Sequence, residues 1–98
     1  MTHQFAPLAQ QELVEATQRY LIDGGVKVAE DFERAIRRAL QLLVFMPQLG
    51  SGTYHGVRTW PLKRFPYTLV YRVAGETITV IAVAHQSREP GYWDGRRN

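Results

Sequence analysis

Residues 67–85 read YTLVYRVAGETITVIAVAH, and this stretch decides the fold. In residues 67–73, larger apolar side chains alternate with Thr, Val and Arg, which indicates a strand with two different faces. Residues 77–84 are β-branched or small, a composition typical of a buried strand. The Ala-Gly-Glu between them, at 74–76, suits a tight turn. The sequence therefore predicts an antiparallel hairpin.

Two helices are predicted before this hairpin. Pro7 suits a first helical turn, because its missing N–H needs no partner there. Apolar residues recur at helical spacing through residues 9–20, with Glu12 expected on the surface, and a second apolar stripe covers residues 28–43. The glycine pair at 24–25 is expected to end the first helix, and the short connection then predicts an antiparallel two-helix hairpin.

The remaining segments complete a small sheet. Residues 57–62 form a candidate strand, which Pro61 restricts to an edge or shortens. The Gly-Ser-Gly-Thr at 50–53 reads as a turn, and the residues up to Phe5 are expected to add a short strand. We therefore predict one α+β domain over residues 1–98: an antiparallel two-helix hairpin packed on a small, mainly antiparallel sheet, in the order β-α-α-β-β-β.

The composition narrows the class of protein. With 98 residues, 45% hydrophobic and 21% charged, the chain is typical of a single soluble domain. It has no cysteine, which excludes disulfides and thiolate chemistry and is consistent with a reducing compartment. No secretory signal is visible, and the longest apolar runs, at 42–46 and 80–84, are far shorter than the roughly 18 residues of a membrane span. We predict a cytoplasmic protein that does not associate with a membrane.

Positive charge is concentrated in the second half of the chain. Residues 50–98 carry seven Lys or Arg against three Asp or Glu, whereas residues 1–49 carry five against six. A basic half suggests a polyanion or an acidic polypeptide as the partner, and ordinary surface charge is the alternative reading.

The clearest candidate for a binding site begins where the last predicted strand ends. A cluster of basic and aromatic residues follows His85, and further basic residues are expected at neighbouring strand ends around one rim. Arginine binds phosphates and carboxylates well, and aromatic rings stack on bases. The structural alternatives are that His85 caps its strand and that Trp93 covers the end of the sheet. The candidate partner-binding residues are Arg58, Lys63, Arg64, Arg72, His85, Arg88, Tyr92 and Trp93.

Other kinds of site find little support. The three histidines, His3, His55 and His85, are too far apart in sequence to suggest the convergent ligands of a zinc site. No Gly-x-Ser-x-Gly elbow or glycine-rich phosphate loop is present. We therefore predict no metal and no cofactor.

Three sequence blocks together resemble the RelE/ParE superfamily of bacterial toxins. They are RTWPLKRFPYTLVYR at 58–72, VIAVAH at 80–85 and REPGYW at 88–93. The start of the predicted helix hairpin matches as well, with Phe5, Ala9, Glu12 and Leu13, so the resemblance covers nearly the whole chain. It implies the toxin of a type II toxin–antitoxin module, often plasmid-stabilising, which a small antitoxin neutralises by wrapping its C-terminal segment around the toxin. RelE-like members cleave mRNA in the ribosome, whereas ParE-like members poison DNA gyrase and are not known as nucleases.

Departures from the nuclease pattern favour the ParE-like branch. The positions that hold catalytic cations in RelE-like nucleases match Thr59, Pro61, Thr68 and Gln86 here, and only Tyr92 falls where the nuclease tyrosine would. Such charged groups each contribute a few kcal/mol to a phosphoryl-transfer transition state. The resemblance therefore implies a toxin that acts by binding gyrase.

Two alternatives remain open from the sequence. One is a ribosome-dependent endoribonuclease that uses Tyr92, Arg88, Lys63 and Arg64. The other is an inactive module that keeps the toxin fold and its affinity for the antitoxin. In each case the partner is expected to be an amphipathic, acid-rich antitoxin segment that folds on the helices and the basic sheet.

Overall fold

A computed structural model describes residues 1–52 and 56–96, and it confirms an α+β fold. The sequence expectations for Thr53 and His55 lie outside the described residues. In chain order the elements are β1 (Thr2–Phe5), α1 (Pro7–Phe45), β2 (Ser51–Gly52), β3 (Val57–Pro61), β4 (Tyr67–Ala74) and β5 (Thr77–His85).

The strands form one mixed sheet in the order β1-β5-β4-β3-β2. The β4–β5 hairpin is confirmed, with Ala74 paired to Thr77 next to the turn. The predicted N-terminal strand is also confirmed, and β1 runs parallel to β5. The remaining neighbours in the sheet are antiparallel. Strand β5 therefore lies inside the sheet, between β1 and β4.

The segment that was predicted as a turn at 50–53 contains a short strand instead. In β2, Ser51 pairs with Thr59 and Gly52 pairs with Arg58. This pairing covers only part of the outer edge of β3. Pro61 ends β3 beyond the residues that β2 pairs, so its missing N–H removes no bond of the β2–β3 ladder. The prediction of a strand that ends early at Pro61 is confirmed.

The predicted two-helix hairpin is wrong, because α1 is one helical element of 39 residues. The glycine pair does not end it. Gly25 has φ 86° and ψ 178°, a conformation that is essentially restricted to glycine, and it interrupts the regular helix. A straight helix of this length would extend about 58 Å. Since the longest dimension of the molecule is 37 Å, the helix bends sharply at Gly25 into two arms, residues 7–24 and 26–45.

The main core lies between α1 and one face of the sheet. Both arms contribute to it, and Tyr20 in the first arm lies 4.9 Å from Phe32 in the second, measured between ring centroids. Tyr67, Leu69 and Tyr71 of β4 face this core, as the strand alternation predicts. Fully burying a large apolar side chain contributes roughly 1.5–3 kcal/mol, so this row of residues does much to hold the helix on the sheet.

A smaller cluster lies on a second buried surface. It contains Val57, Val70, Ile81, Ala82 and Ala84, and Tyr92 and Trp93 pack against it. Because both clusters take residues from β5, this strand is buried from Ile78 to Ala84. Such double burial agrees with its near-continuous apolar sequence.

The hydroxyl of Tyr71 ties the segment after α1 to the sheet. It accepts a hydrogen bond from the Gly50 N–H at 2.9 Å and donates one to the Pro47 carbonyl at 2.8 Å. A Cβ at position 50 would lie 2.5 Å from this hydroxyl oxygen, so the close approach requires glycine. Arg58 supports the same segment by donating to the Gly50 carbonyl at 2.7 Å.

We expect Gly25→Ala to lower the free energy of unfolding by about 2 kcal/mol, because alanine is strained in this backbone conformation. Gly52→Ala is the matched control. Gly52 lacks a positive φ, and an added Cβ there meets no described atom within 4 Å. Urea denaturation of the two variants measures the difference. Equal effects would contradict the assignment of Gly25 as the residue that permits the bend.

Candidate functional site

The chain after β5 folds back over the sheet in a series of turns. Residues 86–96 contain neither helix nor strand, and local backbone bonds such as Tyr92 N–H to the Glu89 carbonyl, 3.2 Å, shape the turns. Tyr92 and Trp93 pack on the second apolar cluster. Trp93 thus contributes to structure as well as to the outer surface.

Glu12 of the first helical arm binds this C-terminal segment. Its carboxylate accepts from both terminal nitrogens of Arg96, at 2.9 Å each, and from the Tyr92 hydroxyl at 2.7 Å. It also accepts from the Val83 N–H at 3.0 Å. We call Glu12, Tyr92 and Arg96 the Glu12 cluster. Its ion pair is well shielded, since the side chains of Glu12 and Arg96 are 16% and 17% exposed.

The Glu12 cluster completes the edge of β5. Strand β1 pairs with β5 only as far as Val80. Beyond that point the Val83 N–H donates to Glu12, and the Ile81 carbonyl accepts from Arg96 at 2.9 Å. Buried or half-buried backbone groups need such partners, and an uncovered strand edge invites pairing with other chains. Side chains therefore continue the hydrogen bonding that β1 begins.

The hydrogen bonds of the cluster define its protonation states. Burial favours a higher pKa for Glu12, but the bonds from Arg96, Tyr92 and the Val83 N–H outweigh it and hold the pKa below the usual 4.5. Burial and the hydrogen bond to the Glu12 carboxylate raise the pKa of Tyr92 to about 12. Tyr92 therefore remains a protonated donor at neutral pH, and Glu12 remains charged.

A pocket of about 270 Å³ lies beside the cluster. Its polar lining includes Glu12, Glu15, Arg19, Tyr67, His85, Ser87, Arg88 and Tyr92. His85 Nδ1 accepts from the Ser87 N–H at 3.0 Å, so His85 does cap the exit of β5. The Arg88 guanidinium lies over the Tyr92 ring, 3.9 Å from the centroid, a cation–π contact that orients this arginine.

A larger groove, of about 600 Å³, lies between the second helical arm and residues 60–65. Its lining combines apolar side chains such as Leu42 and Trp60 with five cations and one acid. The acid, Asp31, already binds Lys27 at 2.9 Å and Arg34 at 3.0 Å. We call this the basic groove; its cations are Lys27, Arg34, Arg38, Lys63 and Arg64.

The predicted binding residues do not surround one rim. His85, Arg88 and Tyr92 share the smaller pocket, whereas Lys63 and Arg64 line the basic groove. The structure thus divides the predicted surface into two main parts.

Of the other three predicted residues, Arg58 and Arg72 lie apart from those two groups, whereas Trp93 lies next to Tyr92, with 5.4 Å between the ring centroids. Arg58 lines a separate pocket of about 280 Å³ and binds the chain before β2, which makes it a structural residue. Arg72 is half-buried on β4, opposite Val57 and Thr79. Trp93 lies against the second apolar cluster.

Sequence reasoning placed Glu12 on the surface and assigned no site role to Glu12, Arg19 or Arg96. A signal for Glu12 was present: it follows Ala9 by three residues and precedes Ala16 by four. Those positions share one helical face, and both alanines are buried. A carboxylate on such a face requires a partner, but only the fold brings Arg96 to it.

Residues 4–90 match the family described as "ParE toxin of type II toxin-antitoxin system, parDE". The chain therefore belongs to the ParE toxin family, and the membership implies an antitoxin partner.

A solved structure supports the fold. The "Chromosomal ParDE TA system from P. aeruginosa" contains a chain that is similar with a TM-score of 0.75 and 24% identity, over 87% of this chain and 95% of that one. No curated protein matches significantly. Within residues 1–52 and 56–96, α1 lacks an apolar stretch long enough for a membrane crossing.

The ion pair predicts a pH-dependent contribution to stability. Because the pKa of Glu12 is lower in the folded chain than 4.5, its contribution is complete above pH 4.5 and is lost as the pH falls through the folded value. At pH 7 we expect Glu12→Gln to lower the free energy of unfolding by about 2 kcal/mol. At pH 3 the difference from the wild type should shrink.

Urea denaturation at pH 7, 4.5 and 3 measures this difference. Glu15→Gln is the control, since Glu15 is exposed and its carboxylate receives only a long bond of 3.4 Å from Gln11 in the described part of the chain. A gap between wild type and Glu12→Gln that stays constant with pH would rule out an ionised Glu12 as its source.

Proposed function

We propose that this chain arrests bacterial growth by binding DNA gyrase in the cytoplasm, and that a cognate antitoxin neutralises it. The observation that supports binding over catalysis is the bond from the Tyr92 hydroxyl to Glu12, at 2.7 Å. The residue that matches the nuclease tyrosine is thereby engaged in holding the chain together.

The chemistry of mRNA cleavage finds little support around Tyr92. A phenol whose pKa is about 12 is a poor general base at neutral pH. The positions that match the cations of RelE-like nucleases hold Thr59, Pro61, Thr68 and Gln86, none of which carries a charge. Pro61 and Thr68 are paired across β3 and β4, so these two adjacent positions offer no cationic side chain to a developing phosphate charge.

The surface that we assign to the target consists of His85, Arg88, Tyr92 and Trp93, and we call it the C-terminal rim. Tyrosine, tryptophan and arginine are the residue types that most often dominate the energy of protein interfaces. The stacking of Arg88 on Tyr92 holds the arginine in place before binding, which reduces the entropy lost on association.

The surface that we assign to the antitoxin is the basic groove. An amphipathic helix or strand can place its apolar side against Leu42 and Trp60 and direct its acidic side chains at the cations of the two walls. Of the five cations, Lys27 and Arg34 are already paired with Asp31. Arg38, Lys63 and Arg64 form no ion pair within residues 1–52 and 56–96, and they are the strongest candidates for pairing with the antitoxin.

We expect Arg64→Glu and Lys63→Glu each to weaken the complex with the cognate antitoxin about tenfold, or about 1.4 kcal/mol, because each puts like charges together. The salt dependence of binding should also fall. Arg37→Glu is the control, since Arg37 is an exposed cation of α1 outside the groove. Titration calorimetry at two salt concentrations provides the measurement, and equal losses in all three variants would place the antitoxin elsewhere.

Expression without the antitoxin should arrest growth, and the purified chain should inhibit gyrase supercoiling in vitro. We expect Arg88→Glu to weaken that inhibition about tenfold or more, because Arg88 lies in the C-terminal rim, whereas Arg37→Glu should leave it unchanged.

Two results would contradict the proposal. Truncated mRNA that depends on Tyr92 would establish the endoribonuclease alternative. Normal growth in the presence of intact protein would establish an inactive module.

A further inference from the structure

We propose that Glu12 is a positioning residue for the C-terminal rim: it holds the rim in the arrangement that the target recognises, without touching the target. The inference rests on the proposed function, because it concerns the same surface. It assigns a functional role to a residue of the first helical arm that lies outside the rim.

The carboxylate of Glu12 has no capacity left for a partner. An ionised carboxylate offers about four acceptor sites. Four bonds occupy them: two from Arg96, one from Tyr92 and one from the Val83 N–H. A target that bound Glu12 would have to displace one of these donors, so the role of Glu12 is to hold the chain.

The four bonds join three parts of the chain that build the rim. Val83 belongs to β5, two residues before His85. Tyr92 is itself part of the rim, and Arg96 follows Trp93 by three residues. One side chain of the helix therefore holds the chain just before the rim, within the rim at Tyr92, and just after it.

The position of Arg88 depends on this arrangement through Tyr92. The Tyr92 ring lies between two guanidinium groups, with Arg88 at 3.9 Å and Arg96 at 5.1 Å from its centroid. Glu12 fixes the hydroxyl of that ring. If the ring moved, Arg88 would lose the surface on which it stacks.

The turns of residues 86–96 cannot provide the same order. Most of their backbone bonds are local, for example Arg88 N–H to the His85 carbonyl at 3.0 Å and Asp94 N–H to the Gly91 carbonyl at 2.9 Å. One backbone bond fastens the start of the segment to the body of the domain, from Gln86 N–H to the Pro66 carbonyl at 2.8 Å. Beyond it, the polar attachment of this segment to the rest of the described chain depends on the Glu12 cluster.

A variant in which Glu12 and Arg96 exchange their charges distinguishes a positioning role of Glu12 from the simple pairing of opposite charges. In Glu12→Arg with Arg96→Glu an ion pair can form again. However, the Val83 N–H would then face a guanidinium, which accepts no hydrogen bond, and the Ile81 carbonyl would face a carboxylate. We therefore expect the exchange not to restore the rim, although it restores the pairing of opposite charges.

The experiment compares the full-length wild type, Glu12→Gln, Glu12→Ala and the exchange variant in three measurements. They are inhibition of gyrase supercoiling, affinity for the cognate antitoxin, and amide hydrogen exchange at Val83 and residues 86–96. Glu12→Gln keeps an acceptor but loses the ion pair, so it tests the inference even if Glu12→Ala fails to fold.

We expect Glu12→Gln to weaken gyrase inhibition about tenfold, since a bond to a charged group is worth a factor of that order. Amide hydrogen exchange should be faster at Val83 and in the rim than in the wild type. Antitoxin affinity should stay within about twofold, because the basic groove has a different lining. The exchange variant should remain as impaired as Glu12→Gln.

Three results would overturn the inference: full inhibition by Glu12→Gln while Arg88→Glu is impaired, rescue by the exchange variant, or equal losses of inhibition and antitoxin affinity. If the wild type does not inhibit gyrase at all, the proposed function fails. In that case hydrogen exchange at Val83 and in the rim still decides whether Glu12 positions this segment.

Discussion

The double burial of β5 is the constraint on which the rest of the structure depends. Its side chains enter two apolar clusters, and its backbone needs hydrogen-bond partners along both edges. Strand β4 covers one edge for its full length, whereas β1 covers the other only to Val80. Glu12 and Arg96 complete the second edge, and α1 covers the main core.

The same constraint shapes the C-terminal rim, the surface that we propose for the target. Because Tyr92 and Trp93 must cover the second cluster, the chain after β5 folds back and presents Arg88 and His85 beside them. The second arm of α1 separately forms one wall of the basic groove. The surfaces that we propose for the target and for the antitoxin thus lie on different parts of the molecule.

Local patterns predicted the elements whose signals are strong. Alternation in β4 and the apolar run of β5 correctly indicated the hairpin, and helical periodicity located both arms of α1. The glycine pair was misread because a positive-φ glycine can either end a helix or permit a bend, and local sequence does not distinguish them. Strand β2 was missed because two residues carry no alternation. The grouping of Arg58, Arg64 and Arg88 at one rim failed because strand ends alone do not define which pocket a side chain enters.

By itself, the sequence determined the α+β class, the central hairpin, the basic and aromatic character of the C-terminal segment, and the toxin family. These properties depend on residue type and local spacing, both of which can be read directly from the sequence. Only the tertiary structure decided that Glu12 meets Arg96, a residue 84 positions later, and that the predicted cations divide between two surfaces. The reason is physical. Glu12 and Arg96 meet at the edge of β5 that β1 leaves unpaired, and residues so far apart in sequence reach that edge only when α1 and the C-terminal segment pack against the sheet.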